Sequence, residues 1–477
     1  MKRIVAMTVV LFVLSLGGLA MMTLFMCRAQ DRVEFSTVVT RGDPAAARGL
    51  HMTEYDMLAS RVRWTTEHDL GAQTQETTSV FSGKEIPYDG SGRTYGSNSI
   101  CMLVPDTERV RAYLRQQSQD SRDSNVLLHP ADFVETYDLC LYYGGSWQAV
   151  TADDRRNDPS IRDFPLMHIP VGAEDAMELY IHENGGQMRY SINYAFMAND
   201  YESWDADVKA GTVVTAGFDA GVDAKAEWAP EGFGLWLVER GAQSEQNIRL
   251  VYPLNIETQR VVKLIASPDR EKLLLFTAEG EDLTLRVIAG EDFRLLQTVP
   301  LGKIGIEEAE ETYFSSNGEE QTTHKKQYET VRVCSGDGFY AVAVGKRLTV
   351  LQEEESGLER VFSCDMIDLY VISTADGERY VWEDQGAETD QCIGVCTPVD
   401  GGWYYDFEGI SMVLRDGRLA MAWTDRALGD GNVMVEIYSG DGLVYAREIG
   451  CGLYRQNRSG TQTLQDMTKP TLVWEAT

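Results

Sequence analysis

Apolar residues in the C-terminal half of the chain come in short runs, each preceded by a turn dipeptide. Positions 337–344 read DGFYAVAV, 376–383 read DGERYVWE and 416–423 read DGRLAMAW, so Asp-Gly recurs at a nearly constant interval. Degenerate copies, EGFGLWLV at 231–238 and DREKLLLF at 269–276, stand almost the same interval apart. The unit around Asp416 resolves into four β-forming runs, GISMVL, RLAMAWT, NVMVEIYS and LVYAREI, separated by RDG, DRALGDG and GDG. Four short strands every ~40 residues is the spacing of a propeller blade. Asp-Gly between such runs predicts tight hairpin turns, because the primed turns need positive φ and glycine reaches it freely. Asp337 and Asp416 are therefore read as turn residues accepting backbone hydrogen bonds, with a ligand or metal role as the alternative.

The step from position 269 to position 337 is longer, one period plus an insertion. The surplus is visible as IGIEEAEETYFSSNGEEQTTHKKQYE, residues 304–329, polar and acidic with few core-forming positions. Its acids (Glu307, Glu308, Glu310, Glu311, Glu319, Glu320) are too many to bury, and the expectation is an acidic surface flap beside the binding face. Upstream of 231 the rhythm weakens. Met177–Phe196 reads as a hairpin turning at Asn184-Gly185, and Tyr142–Val150 and Arg61–His68 read as strands. Thr107–Asn125 is polar and fits a short helix or a long loop. These segments are either the first blades of one ring or a separate β-rich domain. At ~40–50 residues per blade the whole chain suits one ring of seven or eight blades, and KPTLVWEA (Lys469–Ala476) supplies a last strand to close it and remove the edge. The expected fold class is thus an all-β β-propeller behind a single N-terminal transmembrane helix. The expected order is a cytoplasmic tail 1–3, a membrane anchor 4–26, a juxtamembrane segment 27–60, first blades 61–230, and C-terminal blades 231–477.

One stretch resembles a known family. IASPDREKLLLFTAEGEDLTLRVIAGEDFRLLQTVPLG, Ile265–Gly302, is similar to the YVTN-type and TolB-like propeller repeat, whose pattern opens Ser-Pro-Asp-Gly and closes Pro-x-Gly. Ser267, Pro268 and Asp269 match, and Arg270 stands where the family has glycine. The resemblance covers this one unit and implies a propeller, in a family made up mostly of extracytoplasmic binding scaffolds.

Met1-Lys2-Arg3 precedes an uncharged run, Ile4–Met26. At 1.5 Å per residue such a run spans a ~30 Å hydrocarbon core, and the positive-inside rule then places the rest of the chain outside the cytoplasm. A cleaved signal peptide, cut after Ala20 or Ala29, is the alternative. Met26 before Cys27 disfavours a lipoprotein signal. A formal net charge of −31 excludes nucleic acid as a natural partner and favours cationic ones.

Seven cysteines follow Cys27: Cys101, Cys140, Cys334, Cys364, Cys392, Cys396 and Cys451. Cys101 and Cys140 sit inside apolar runs, SICMLV and DLCLYY, and are read as buried free thiols. Cys392 and Cys396 have the wrong spacing for a CxxC site. No nucleophile elbow, HExxH, Walker loop or GxGxxG is present, so the catalytic residues are unknown, and no cofactor or metal is expected. The six histidines (His51, His68, His129, His168, His182, His324) are read as surface or core. Asp425, Asp430, Asn432 and Glu436 could offer oxygens to calcium, but their order fits no EF-hand loop, and a polar turn is the plainer reading. Arg41-Gly42-Asp43 carries no weight. The expected function is a non-enzymatic binding, sensing or scaffold module for a protein, peptide or glycan. The alternative is an envelope hydrolase or lyase with its pocket at the central channel, where an acid pair beside His or Arg would favour the enzyme.

Overall fold

The computed structural model describes residues 7, 12–21, 35–58, 62–81, 98–103, 124–129, 131, 135–143, 165–172, 177–184, 187–193, 201–218, 222–239, 248–304, 307–314, 320–327, 331–344, 347–365, 369–374, 377–382, 410–425, 432–451 and 470–475. Antiparallel strands dominate. β1 (Phe35–Gly42) leads through a 3-10 turn, Pro44–Ala47, into β2 (Leu50–Leu58), β3 (Val62–Asp69) and β4 (Thr74–Phe81). Then come β5 (Asn98–Leu103), β6 (Ser124–Leu128), β7 (Thr136–Tyr143), β8 (Pro165–Pro170), β9 (Met177–Asn184) and β10 (Gln187–Asn193). One meander joins β11 (Tyr201–Val208), β12 (Gly211–Phe218), β13 (Phe233–Glu239) and β14 (Ile248–Leu254). The next joins β15 (Arg260–Ala266), β16 (Lys272–Glu279), β17 (Asp282–Ala289) and β18 (Leu295–Lys303). After the hairpin β19 (Glu307–Phe314) and β20 (Glu320–Gln327) come β21 (Val331–Gly336), β22 (Phe339–Val344), β23 (Arg347–Glu354) and β24 (Gly357–Asp365). A second hairpin, β25 (Leu369–Thr374) and β26 (Gly377–Trp382), precedes β27 (Ser411–Arg415), β28 (Arg418–Asp425), β29 (Asn432–Ser439) and β30 (Gly442–Cys451). β31 (Thr471–Trp474) is the last.

The meanders β11–β14, β15–β18 and β21–β24 are each one four-stranded sheet. Two sheets are completed from the far end of the chain. β31 pairs with β2 to make the sheet β31-β2-β3-β4, setting Leu472 opposite Met52, and β1 pairs with β30 on the edge of the sheet β27–β30. The closing strand expected at Lys469–Ala476 is present as β31. Strands β5, β7 and β8 form a three-stranded sheet, while β6 joins the hairpin β9–β10 in another.

The continuous apolar runs have a physical reason. The sheets β15–β18, β21–β24 and β27–β30 are each covered on both faces by neighbours, so their inner strands lose the polar half of the usual alternation. All eight residues of β12 are buried. In β16, Leu273 and Leu275 pack in the cluster holding Val213, Leu235 and Leu237 of the preceding sheet, while Leu274 and Phe276 pack with Val333, Tyr340 and Val342 of the next. Phe339, Ala341 and Ala343 turn the other way, onto Leu419, Met421 and Trp423. Ala420 and Ala422 then meet Leu50, Met52 and Leu472, so the last core cluster joins the two ends of the chain. Each Leu or Phe so buried is worth roughly 1.5–3 kcal/mol.

The structure adds detail to several expectations. Residues 304–329 are not a featureless flap: β19 and β20 pair along their whole length, from Glu307 opposite Gln327 to Phe314 opposite Glu320. Gly377 opens β26, which pairs with β25 from Thr374 opposite Gly377, and strands β21 and β24 before this hairpin contact β27 and β29 after it. That hairpin is an excursion between two packed sheets. Segment 27–60, read as juxtamembrane, contains β1 and β2, both members of the sheet system. Within Ile4–Met26, residues 12–21 are helical and exposed, and among the described residues no helix is long and apolar enough to cross a membrane.

Candidate functional site

Neighbouring sheets approach one another at their first strands: β5 meets β11, β11 meets β15, β21 meets β27, and β27 meets β31. A cleft opens at one of these junctions, between β11 and β15. It encloses about 490 Å³ and is lined by Trp204, Asp205, Asp207, Lys263, Ser267 and Arg270 together with the backbone around them. A bulge in β15 between Val261 and Lys263 breaks the alternation, so that Val261 and Val262 are both buried while Lys263 is half-exposed. Lys263 Nζ lies 5.0 Å from the centroid of the Trp204 ring, within cation–π range. The indole packs against Gly217 of β12. A Cβ there would lie 2.6 Å from the Val261 carbonyl oxygen and 3.3 Å from Trp204 Nε1, so only glycine fits. Among the described residues Trp204 Nε1 is buried without a hydrogen-bond partner.

Asp205 and Asp207 are both exposed on β11, and Asp207 Oδ1 accepts a bond of 2.8 Å from Thr212 Oγ1. The one hydroxyl in the lining, that of Ser267, is already committed. It donates to Asp269 Oδ1 at 2.5 Å and accepts from the Lys272 N–H at 2.9 Å. The Arg270 N–H closes the turn on the Ser267 carbonyl at 2.8 Å. Burial acts to raise the Asp269 carboxyl, but bonds from Ser267 and the Glu271 N–H, with Lys272 nearby, hold it below the ordinary carboxylate range. Ser-Pro-Asp is therefore a turn lock. Arg270, standing where the resembled repeat has glycine, keeps the glycine-like backbone at φ +62°.

The Asp-Gly pairs at 337 and 416 are turns as well. Asp337 (φ 48°) and Gly338 (φ 79°), like Asp416 (φ 50°) and Gly417 (φ 69°), have the consecutive positive φ of a type I′ hairpin. The carboxylate role is a correction. Among the described residues Asp416 accepts no backbone bond; it faces Arg415 Nε at 3.4 Å and is 84% exposed. The backbone conformation, not the side chain, is what Asp supplies. Asp376 lies outside the described residues.

Two buried polar pairs that sequence reasoning did not assemble lie away from the cleft. His68 is fully buried in β3, with Nε2 2.8 Å from Glu54 Oε1 of β2. Glu436 is buried in β29 and accepts a bond of 2.9 Å from Tyr438 Oη. Burial pushes its carboxyl up to about 8, against the Tyr438 bond and the field of Arg41. Both sit within packed sheets and touch no cleft described above. Alternation could have flagged Glu436, a lone acid at a core position in NVMVEIYS. Glu54 and His68 carried no such signal, because they lie on separate strands and only the β2–β3 register brings them together.

The calcium set does not assemble. Asn432 opposes Asp425 at the hairpin end, whereas Glu436 opposes Met421 four residues farther along the strand, roughly 13 Å away. Asp430 lies outside the described residues, among which no cluster of metal-ligating side chains occurs. Cys334 and Cys364 are buried thiols outside any disulfide, and Cys334 Sγ donates to the Ile410 carbonyl at 3.5 Å. Cys392 and Cys396 lie outside the described residues.

No family model and no curated protein matches the chain. Among solved structures, TolB from Acinetobacter baumannii is 10% identical with a TM-score of 0.21, the match covering 89% of this chain and 82% of that one. The Dos1 propeller is 8% identical with a TM-score of 0.24, covering 87% of this chain and 91% of that one. A prolyl endopeptidase structure is 9% identical with a TM-score of 0.24, and this chain spans 42% of its length. The class rests on the architecture itself: successive antiparallel sheets packed face to face and closed by a strand from the opposite terminus, which is a β-propeller arrangement.

Proposed function

We propose that the chain is a membrane-anchored, extracytoplasmic propeller whose rigid wall binds a peptide, protein or glycan without chemical change. The sheet contacts favour six blades, with the β6–β9–β10 sheet and the two hairpins as excursions. The anchor reading rests on Ile4–Met26 and the basic Lys2-Arg3 before it. One observation carries the binding reading: the cleft between β11 and β15 is built from an indole, two lysine- and arginine-borne charges and two exposed carboxylates, while its hydroxyl is locked in a turn. Such a set recognises polar groups and apolar faces together. Affinity capture on crosslinked membranes with the full chain, followed by titration of the recovered partner or glycan, tests it. Trp204→Ala should weaken binding about tenfold, from the loss of a central aromatic contact, measured well below a melting temperature that itself falls because the indole packs on the core; binding insensitive to this variant would place recognition elsewhere.

A hydrolase or lyase reading keeps one specific support, the pairing of Asp205 and Asp207 with Arg270 in the same cleft. Turnover of any captured glycan or peptide, abolished by Asp205→Asn or Asp207→Asn, would replace the binding reading with it.

A further inference from the structure

The sheet β5–β7–β8 sets two cysteines face to face. Cys101 in β5 is the register partner of Cys140 in β7, within an unbroken ladder from Asn98 opposite Tyr143 to Leu103 opposite Asp138. Directly opposed residues of an antiparallel pair have Cα atoms ~4.5 or ~5.5 Å apart, depending on whether they exchange hydrogen bonds. Both spacings fall inside the ~4.4–6.8 Å range that a disulfide requires. From this register we propose that Cys101 and Cys140 are a cross-strand disulfide pair, replacing their reading as two separate buried thiols.

The other described cysteines show how selective that placement is. Cys334 lies in β21 and Cys364 in β24, the opposite edges of one four-stranded sheet. Three strand spacings, roughly 14 Å, separate those edges, so no bond can join them. Burial also pushes the Cys364 thiol up to about 11, leaving it protonated and unreactive. Cys451 in β30 faces Phe35 of β1. The bond has a structural task at Cys101–Cys140. Between β5 and β7 the chain leaves to place β6 in another sheet, and β5 borders both β11 and β12 of the next sheet. A covalent tie would hold the three-stranded sheet in register without a fourth strand.

The oxidant is a disulfide donor, either a small-molecule or a protein disulfide. One cysteine thiolate attacks a donor sulfur to form a mixed disulfide and release one donor thiol. The second thiolate then displaces the other donor thiol, so two protons and the two electrons leave with the donor.

The experiment uses the full chain, reduced and then incubated folded with oxidised glutathione before thiol blocking and tryptic mapping. Cleavage after Arg93, Arg109, Arg122 and Arg155 places Cys101 on peptide 94–109 and Cys140 on 123–155. The expected result is one linked species of these two peptides, two hydrogens lighter than their sum, with Cys334 and Cys364 blocked only after unfolding. Separate glutathione adducts on Cys101 and Cys140, free thiols at both, or linkage to any other cysteine would overturn the pairing. Mapping protein taken from cells with thiols blocked at lysis separates this from the proposed location. A link formed with glutathione but absent from cells upholds the pair and counts against the extracytoplasmic placement.

Discussion

At Gly417 the backbone turns with φ +69°, and a Cβ placed there would meet nothing within 4 Å. The cost of a side chain is therefore purely conformational. Gly417→Val should lower the unfolding free energy by about 1–3 kcal/mol, whereas Asp416→Asn should change it little, since Asn tolerates the same backbone; urea denaturation of both variants measures the difference. Glu436 gives a pH test. Its folded-state carboxyl is raised from the ordinary value to about 8, so the folded form holds a proton that the unfolded chain has released. Stability from this group is complete below pH ~4.5 and is lost as pH rises through about 8. Wild type should lose on the order of a few kcal/mol more than Glu436→Gln between pH 5 and pH 9. Equal losses in thermal scans of the two would show that Glu436 is ionised throughout. The turn glycines were legible in the sequence because turn chemistry is local. The Trp204–Lys263 contact was not, because the pair sits on first strands of two different sheets and a bulge sets the direction of Lys263.

Elements buried on both faces announced themselves in the sequence, and a hairpin of polar residues did not. DGFYAVAV and DGRLAMAW were readable as strands because the runs 339–343 and 419–423 are buried at every position between neighbouring sheets. The hairpin β19–β20 has no apolar period at all: EEAEETYF pairs with EQTTHKKQ, and backbone bonds hold what hydrophobicity does not reveal. Its register sets Glu308 opposite Lys326, and opposite charges at facing positions favour a ladder by a few tenths of a kcal/mol. The hairpin is framed by two core residues, Ile304 and Val331, exposed by only 2% and 1%. Replacing residues 305–328 with a short Gly-Ser linker spares both, so the melting temperature should stay nearly unchanged; a collapse would mean that the hairpin braces the sheets on either side. If its acids also meet a basic partner, the deletion should weaken capture most at low salt, where charges are least screened.

Closure decides the stability of the whole molecule. The ends of the chain are used twice, once on the first strand of a sheet and once on the outer edge of the last. β31 supplies the strand that borders β27 and places Leu472, 3% exposed, in the cluster shared with Leu50, Met52 and Val435. Ser411 Oγ accepts a further bond from the Leu472 N–H at 3.2 Å, and Arg415 donates to the Glu475 carbonyl at 2.5 Å. β1 lies instead outside β30, where it covers the edge of that sheet. This asymmetry was half legible. KPTLVWEA could be read as a closing strand, but its partner HMTEYDML could not, because β2 buries an acidic residue, Glu54, beside Met52 and Leu50. Truncation after Pro470 should therefore remove the Leu472 burial, worth about 2–5 kcal/mol on the scale of core truncations, and bare the β2 edge to pairing with other chains. Removing residues 1–42 should cost less, because the joint between the first and last sheets survives. Denaturant midpoints together with sizing by light scattering compare the two. The expected order is a lower midpoint and self-association for the C-terminal truncation, and a mostly monomeric fold for the N-terminal one. The reverse order would mean that β1, not β31, closes the ring.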